Sequence, residues 1–397
     1  MLVQFMVKNV LSFKEETILD MTAIHAYKEH ESNLIDIGYK EKFLRVASIY
    51  GANASGKSNL NAAMRCFQSI IISSFNNVEN ESEKAISKYY VPFLFGNEND
   101  NSEFQMVMIL GKYEYRYGFE YNPEAIEMEW LYRKNLETNR KTTVFERSRD
   151  VIDFGPAVRK ECDMYKEQVP EETLVLSMFN KLKLKTDIFR MVFAGTMSTL
   201  VLSPDFGENT NFLNTFLPRI IDENKEKLLE FLTAIDTGIQ DISYDDSEKE
   251  IWFETVHRGK NGKGYSLGLF SESEGTVKSI LIYIYTQIAI SGNGALFVDE
   301  LNIKLHPLLL KFIIDLFYDN DSRAQLLYTT HDTTLMDKKF FRRDQIWFVQ
   351  KDEYGCSELV ALSDYKVRSD ASFEKDYLAG VYGGIPFLQE FRVKEGK

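Results

Sequence analysis

The chain is poor in cysteine, histidine and proline, with three, five and eight of them in 397 residues. Cys66, Cys162 and Cys356 lie far apart, without CxxC spacing or a histidine at ligand distance. That excludes a disulfide framework and a zinc site, and it fits a reducing, cytoplasmic setting. No apolar run approaches the ~18 residues that a membrane span needs. The opening MLVQFMVKNVLSF has neither a basic leader nor a small-residue cleavage site, and it reads as a strand. Positive charge is the scarcer sign: 47 Lys and Arg against 60 Asp and Glu leave a net charge of −13. A general nucleic-acid coat protein would be basic overall, although a local basic track remains compatible with an acidic chain. Tandem repeats, low-complexity tracts and sustained heptads are all missing, which excludes a long coiled-coil arm. What the chain does have is apolar material, 44% hydrophobic and 13% aromatic, enough for a large buried core.

Patterning divides this material into segments. Residues 1–13 alternate, residues 20–44 are mixed, and the short apolar run RVASIY at 45–50 leads straight into Gly51. Leu60, Met64, Phe67, Ile70 and Ile71 then recur at helical spacing. Residues 76–102 read mostly as loop. From Phe104 the period switches to two, turns at Gly111-Lys112 and alternates back through Tyr113, Tyr115, Tyr117, Phe119 and Tyr121, which predicts a hairpin. Strand candidates at 126–132 and 143–147 extend this into an antiparallel lobe over 104–150. Residues 158–236 read as mainly helical. The last third alternates strand (251–256, 294–299, 325–330) with helix (277–289, 307–318) and closes on a hairpin around Tyr354-Gly355, so a parallel βαβ sheet is expected. The division is thus 1–150, half of an α/β head with its β-lobe; 151–240, a helical insertion; and 241–397, the other half of the head.

Chemistry concentrates at the ends of three apolar runs. Residues 51–58, GANASGKS, fit G-x-x-x-x-G-K-[ST]. Glycines at Gly51 and Gly56 let successive backbone N–H groups turn inward on phosphate oxygens, with Asn53, Ser55 and Asn59 in the same cradle. Lys57 would reach the β- and γ-phosphates, and Ser58 would hold Mg²⁺. Residues 295–300, ALFVDE, form an apolar run that delivers two acids at a strand end: Asp299 for the metal shell and Glu300 to polarise the attacking water. A strand merely ending in solvated acids is common; here it stands downstream of the P-loop. Residues 326–332, LLYTTHD, present His331 at a third strand end, where it can sense the γ-phosphate. Finally, SESEGT at 271–276 opens an apolar helix. Ser271 and Glu274 have capping-box spacing, and Ser273 with Gly275 forms an anion site at the helix start, where an ABC signature belongs.

VKNVLSF, IYGANASGKSNL, SEGTVKS, LFVDELNIKLHP, YTTHD, RRDQIWFV and YLAGVYGGIPFL together resemble the RloA/abortive-infection ATPases, relatives of the ATPase subunits of the Septu and PARIS phage-defence systems and, more distantly, of OLD proteins. The resemblance covers both ends and the last third. It implies an α/β P-loop fold of the ABC-head type, with a mainly parallel core sheet, an antiparallel β-lobe and a helical insertion. It also implies ATP and Mg²⁺ as ligands, hydrolysis in a head-to-tail homodimer, and a separate effector encoded nearby. Its motif residues fall on Gly51, Gly56, Lys57, Ser58, Ser273, Gly275, Asp299, Glu300 and His331. The signature is SEG where transporters carry a fuller motif, and Gln105, the nearest candidate for a Q-loop glutamine, lies in a strand pattern. No nuclease domain follows His331.

Three further features have a structural alternative beside the functional one. The tyrosine row 113–121 either stacks bases or packs the lobe. Lys181, Lys183, Lys185 and Arg190 are either a phosphate-contacting patch or a solvated face. Arg342 and Arg343 either approach a partner's nucleotide or form a surface pair. Two other functions stay open: a RecF-like DNA-maintenance ATPase, and a scaffold that binds nucleotide with little turnover.

Overall fold

Strand Val46–Tyr50 is buried along its whole length and lies inside a six-stranded sheet. The order is Thr199–Leu202, Ala295–Val298, Gln325–Thr329, Val46–Tyr50, Ile346–Lys351, Ser357–Ala361, with every neighbour parallel except the last pair. Continuous apolar runs suit strands that are covered on both faces. Ala47, Ile49, Phe297, Leu327 and Val349 pack into one core, while Val46, Tyr50, Leu296, Val298, Leu326 and Phe348 pack into the other. The first core is shared with helix Lys57–Ser73, the second with helices Glu274–Gly292 and Pro307–Tyr318. The computed structural model describes residues 1–75, 85–96, 100–203, 210–235, 237–248, 250–318, 321–368 and 371–385. The end of the closing motif, residues 386–388, and much of the 76–102 loop reading fall outside them.

The antiparallel lobe is larger than the pattern suggested. Seven strands pair in the order Val151–Phe154, Lys141–Ser148, Ile126–Asn135, Tyr113–Tyr121, Ser102–Leu110, Leu2–Lys8, Thr17–Asp20. The hairpin turns at Gly111, whose φ of 59° a glycine adopts freely. Tyr115, Tyr117, Phe119 and Tyr121 are buried, so the tyrosine row packs the lobe. Phe67 of the P-loop helix stacks on Phe119 at 5.7 Å and meets Phe5, Phe104 and Tyr117. Each such ring pair adds about 0.5–1.5 kcal/mol beyond area burial, so this cluster ties the lobe to the P-loop helix.

Residues 151–240 carry helices at Val175–Lys181, Ile188–Thr196 and Thr210–Ala234, as expected, but two strands as well. Val151–Phe154 edges the antiparallel sheet, and Thr199–Leu202 joins the parallel sheet beside Ala295–Val298. A four-residue TLVL run is too short to show a period, so its β-branched content was its only mark. Residues 239–268 form a separate three-stranded sheet. Lys181, Lys183 and Lys185 are exposed, as is Arg190, which pairs with Asp187.

Two local expectations are corrected. Arg342 is not on the surface: it is 0% exposed, grips Asp344 through Nε and Nη2 at 2.9 and 2.8 Å, and donates to the carbonyls of Ile24, Tyr27 and Glu29. Arg343 packs over the Tyr27 ring and bonds Glu29. Neighbours more than 300 residues back in the chain bury the pair, which no local pattern signals. Helix Glu274–Gly292 is capped by Ser273, not Ser271, because Ser271 ends a preceding 3-10 turn. Among the described residues, no helix is long and apolar enough to cross a membrane.

Candidate functional site

The P-loop leaves the sheet at Gly51 and enters helix Lys57–Ser73 through Gly56, whose φ is 114°. Both glycines are dictated by space. A Cβ on Gly51 would lie 2.6 Å from the Val349 carbonyl oxygen, and one on Gly56 would lie 2.3 Å from Ser357 Oγ. Lys57 folds back over the loop, with Nζ donating to the carbonyls of Gly51 and Ala52 at 2.7 and 2.9 Å. Burial lowers its pKa, and Glu300 and Asp299 pull it back up, so the ammonium faces both acids. A cleft of about 370 Å³ is lined by Asn53, Ala54, Gly56, Lys57, Ser58, Asn59, Glu300 and Lys351.

The acids arrive from the neighbouring βα crossover. Asp299 follows strand Ala295–Val298 and is almost fully buried; its Oδ1 accepts from Thr329 Oγ1 at 2.5 Å. The Glu300 N–H donates to the same hydroxyl at 2.7 Å. Thr329 ends the strand between the P-loop strand and the Asp299 strand, so one hydroxyl sets the spacing of the metal-binding and water-polarising candidates. Glu300 has a left-handed backbone, φ 49°, an uncommon conformation for a residue with a Cβ. Strain of this kind gathers at functional positions.

His331 does not line the cleft. It stands on the adjoining rim, where Nε2 lies 3.3 Å from Asn302 Nδ2 and Thr330 Oγ1 donates to Asn302 Oδ1 at 2.8 Å. Asn302 lies two residues beyond Glu300, so the switch strand and the acid loop form one edge. Ser273 and Gly275 stand away from this cleft within one chain. Ser273 Oγ accepts from the Thr276 N–H at 3.1 Å, and Gly275 presses against the Lys304 carbonyl, where a Cβ would come within 2.8 Å. Gln105 is on the antiparallel sheet, accepting from Trp130 Nε1 at 3.2 Å.

Four contributors escaped the sequence. Lys278, 2% exposed on the signature helix, donates to the carbonyls of Glu300 and Ile303 at 3.0 and 2.9 Å. Its pKa is lowered to about 8 by burial, against the pull of Glu300 and Asp299. Ser357 Oγ donates to the Ser55 carbonyl at 2.6 Å and contacts Ser12 Oγ at 2.8 Å, bracing the P-loop from behind. Asn59 Nδ2 also donates to Ser12 Oγ, at 2.7 Å. Lys351 adds a cation at the cleft mouth. No sequence pattern marked Lys278, and the serines meet from 345 positions apart.

A glycine-closed phosphate cradle, a lysine over it and two acids at the next strand end define a P-loop nucleoside triphosphatase with a mixed α/β head. The chain belongs to the family described as "AAA domain, putative AbiEii toxin, Type IV TA system", whose model matches residues 46–161 and 183–337. It is an ATP-hydrolysing enzyme of that group. No curated protein matches the sequence. Among solved structures it is similar to an SMC head bound to the C-winged helix domain of ScpA, at 14% identity over 94% of this chain and 99% of that one, TM-score 0.45. It is also similar to the SMC head domain from Thermotoga maritima, at 12% identity over 91% and 98%, TM-score 0.42. A third is the Smc head domain with a coiled coil and joint derived from Pyrococcus yayanosii, at 9% identity over 96% and 99%, TM-score 0.39.

ATPases of this kind bind ATP with Mg²⁺. The cradle fits a phosphate chain: its two glycines are held free of side chains by close neighbours, and Ser55 Oγ is buried without a hydrogen-bond partner among the described residues.

Proposed function

We propose that two copies of this chain hydrolyse ATP head to tail, and that the cycle controls a separate effector in defence against phage. The observation that carries the reading is the shared cleft: Lys57, Ser58 and Glu300 line it, with Asp299 at its root. Residues 51–59 cradle the phosphates through backbone N–H groups, Asn53, Ser55 and Asn59 among them, and Lys57 neutralises the β- and γ-oxygens. Ser58 and Asp299 would hold Mg²⁺, which when bound would supply charge neutralisation across the phosphates. Glu300 orients the attacking water, and His331, tethered through Asn302, senses the γ-phosphate. Ser273 and Gly275 lie outside their own chain's cleft, which supports their use across a dimer on the nucleotide of a second copy. Binding energy at such a shared site shifts a dimer equilibrium, the kind of output an effector can read.

Mixing two inactive variants tests the head-to-tail arrangement. Lys57→Ala and Ser273→Arg are each expected to be inactive. Their mixture forms heterodimers with one site that has both residues intact, so hydrolysis returns in part. No recovery on mixing, with heterodimers formed, would contradict the arrangement. The defence role is tested in cells that carry the chain with its genomic neighbour: Glu300→Gln should abolish survival of the culture under phage challenge.

A further inference from the structure

Outside the nucleotide cleft, a concentration of positive charge lies on the antiparallel lobe. Residues 132–143, YRKNLETNRKTT, carry four cations and one carboxylate in a chain of net charge −13. Strands Ile126–Asn135 and Lys141–Ser148 bring them together, with Lys134 and Lys141 directly opposite each other and Arg133 opposite Thr142. From the next strand, Arg116 sits opposite Tyr132 and Glu114 opposite Lys134. Arg116, Tyr132, Arg133, Lys134, Lys141 and the Thr142–Thr143 pair, with Glu114, line a cleft of about 320 Å³.

This cluster is under-compensated. Like charges directly opposite in a sheet are destabilising. Glu114 meets Lys134 at 3.5 Å, and Glu146 accepts from the Tyr132 hydroxyl at 2.6 Å. Arg116 and Lys141 are exposed and have no ion pair among the described residues. Arg133 is held ready: it bonds Thr142 Oγ1 at 3.2 Å and lies over the Tyr113 ring at 5.0 Å, which fixes its guanidinium. A bound polyanion would offset the repulsion that the folded lobe carries.

The lining also selects among polyanions. It has no leucine, isoleucine, valine, methionine or phenylalanine, whereas protein partners are held by buried apolar and aromatic anchors. Arginine, lysine, threonine and tyrosine donors are the groups that contact phosphate and sugar in nucleic-acid complexes. We propose that this cleft binds the phosphodiester backbone of a nucleic acid, without reading its sequence. The overall acidity of the chain confines such binding to this patch, and the nucleotide cleft takes no part in it.

The test is fluorescence anisotropy of a labelled duplex of about 20 base pairs titrated with the nucleotide-free full chain. Three or so phosphates neutralised predict an affinity that falls about 20-fold between about 50 and about 150 mM salt. Arg116→Glu combined with Lys141→Glu should weaken binding by about 10-fold or more while basal ATP hydrolysis is unchanged, which also reports an intact fold. The milder Arg116→Gln with Lys141→Gln should fall between. The proposal is overturned if wild-type chain does not bind the duplex, if the reversed variant binds equally well, or if polyglutamate binds more tightly than the duplex.

Discussion

Lys278 Nζ lies 3.0 Å from the carbonyl oxygen of Glu300, joining the helix that starts at Ser273 to the residue proposed to orient water. Together with the Ile303 carbonyl at 2.9 Å and the Gly275–Lys304 contact, it makes the signature helix and the acid loop one rigid piece. Glu300 and Lys304 both have left-handed backbones, so the loop needs such a pin. Lys278→Met keeps the length and removes the donor. It should lower kcat by about 10–100-fold with little change in the KM for ATP, because the phosphate cradle is untouched. Lys278→Arg should recover part of the loss. Steady-state kinetics on the three proteins check this.

The same lysine has a pH signature. Its folded pKa, about 8, lies below the unfolded value of 10.5, so between them the folded chain binds fewer protons than the unfolded one. Stability contributed by this group therefore rises with pH across that window and is flat below it. The increment should be present in wild type and missing in Lys278→Met when denaturant midpoints are compared at the two ends of the window.

Ser357 supports the phosphate cradle without touching the nucleotide. Ser357→Ala removes the bonds to the Ser55 carbonyl and Ser12 Oγ, at a cost of about 1–3 kcal/mol. Because the support acts on the cradle, the expected result is a roughly tenfold higher KM for ATP with kcat preserved. A titration of ATP dependence reads both.

Glu129 anchors the helix behind the antiparallel lobe. It is fully buried and accepts from the N–H groups of Val175 and Leu176 at 2.6 and 3.0 Å and from Tyr117 Oη at 3.0 Å. Burial pushes its carboxyl up to about 7, so above that it is ionised among three donors. At about pH 8, Glu129→Gln turns an amide N–H₂ toward a donor and should cost about 1–3 kcal/mol in chemical denaturation. The kinetic constants should not change.

The legible part of this protein was the part written in consecutive residues. A phosphate cradle needs its glycines, lysine and serine in order, and Asp299, Glu300 and His331 each end an apolar run, so strand and chemistry announce each other. The hairpin 102–121 was equally readable, because aromatic residues alternate with polar ones or glycine along its second strand. What escaped depends on partners far along the chain. Lys278 looks like any helix lysine until the acid loop folds against it. Ser12 and Ser357 are unremarkable serines until two chain ends meet behind Gly56. Arg342 reads as a surface residue, yet residues 24–29 wrap it completely. The Ser271 cap failed by two positions, because a 3-10 turn delays the helix start.

The most direct measurement of the central claim compares wild type with Glu300→Gln for ATP hydrolysis and for mass in solution with ATP and Mg²⁺. Losing the carboxylate proposed to orient water should lower turnover by about 100-fold or more. Nucleotide binding should persist, and the variant should accumulate as a dimer. Phosphate release by Glu300→Gln at the wild-type rate would contradict the account, as would wild-type release no greater than that of the variant.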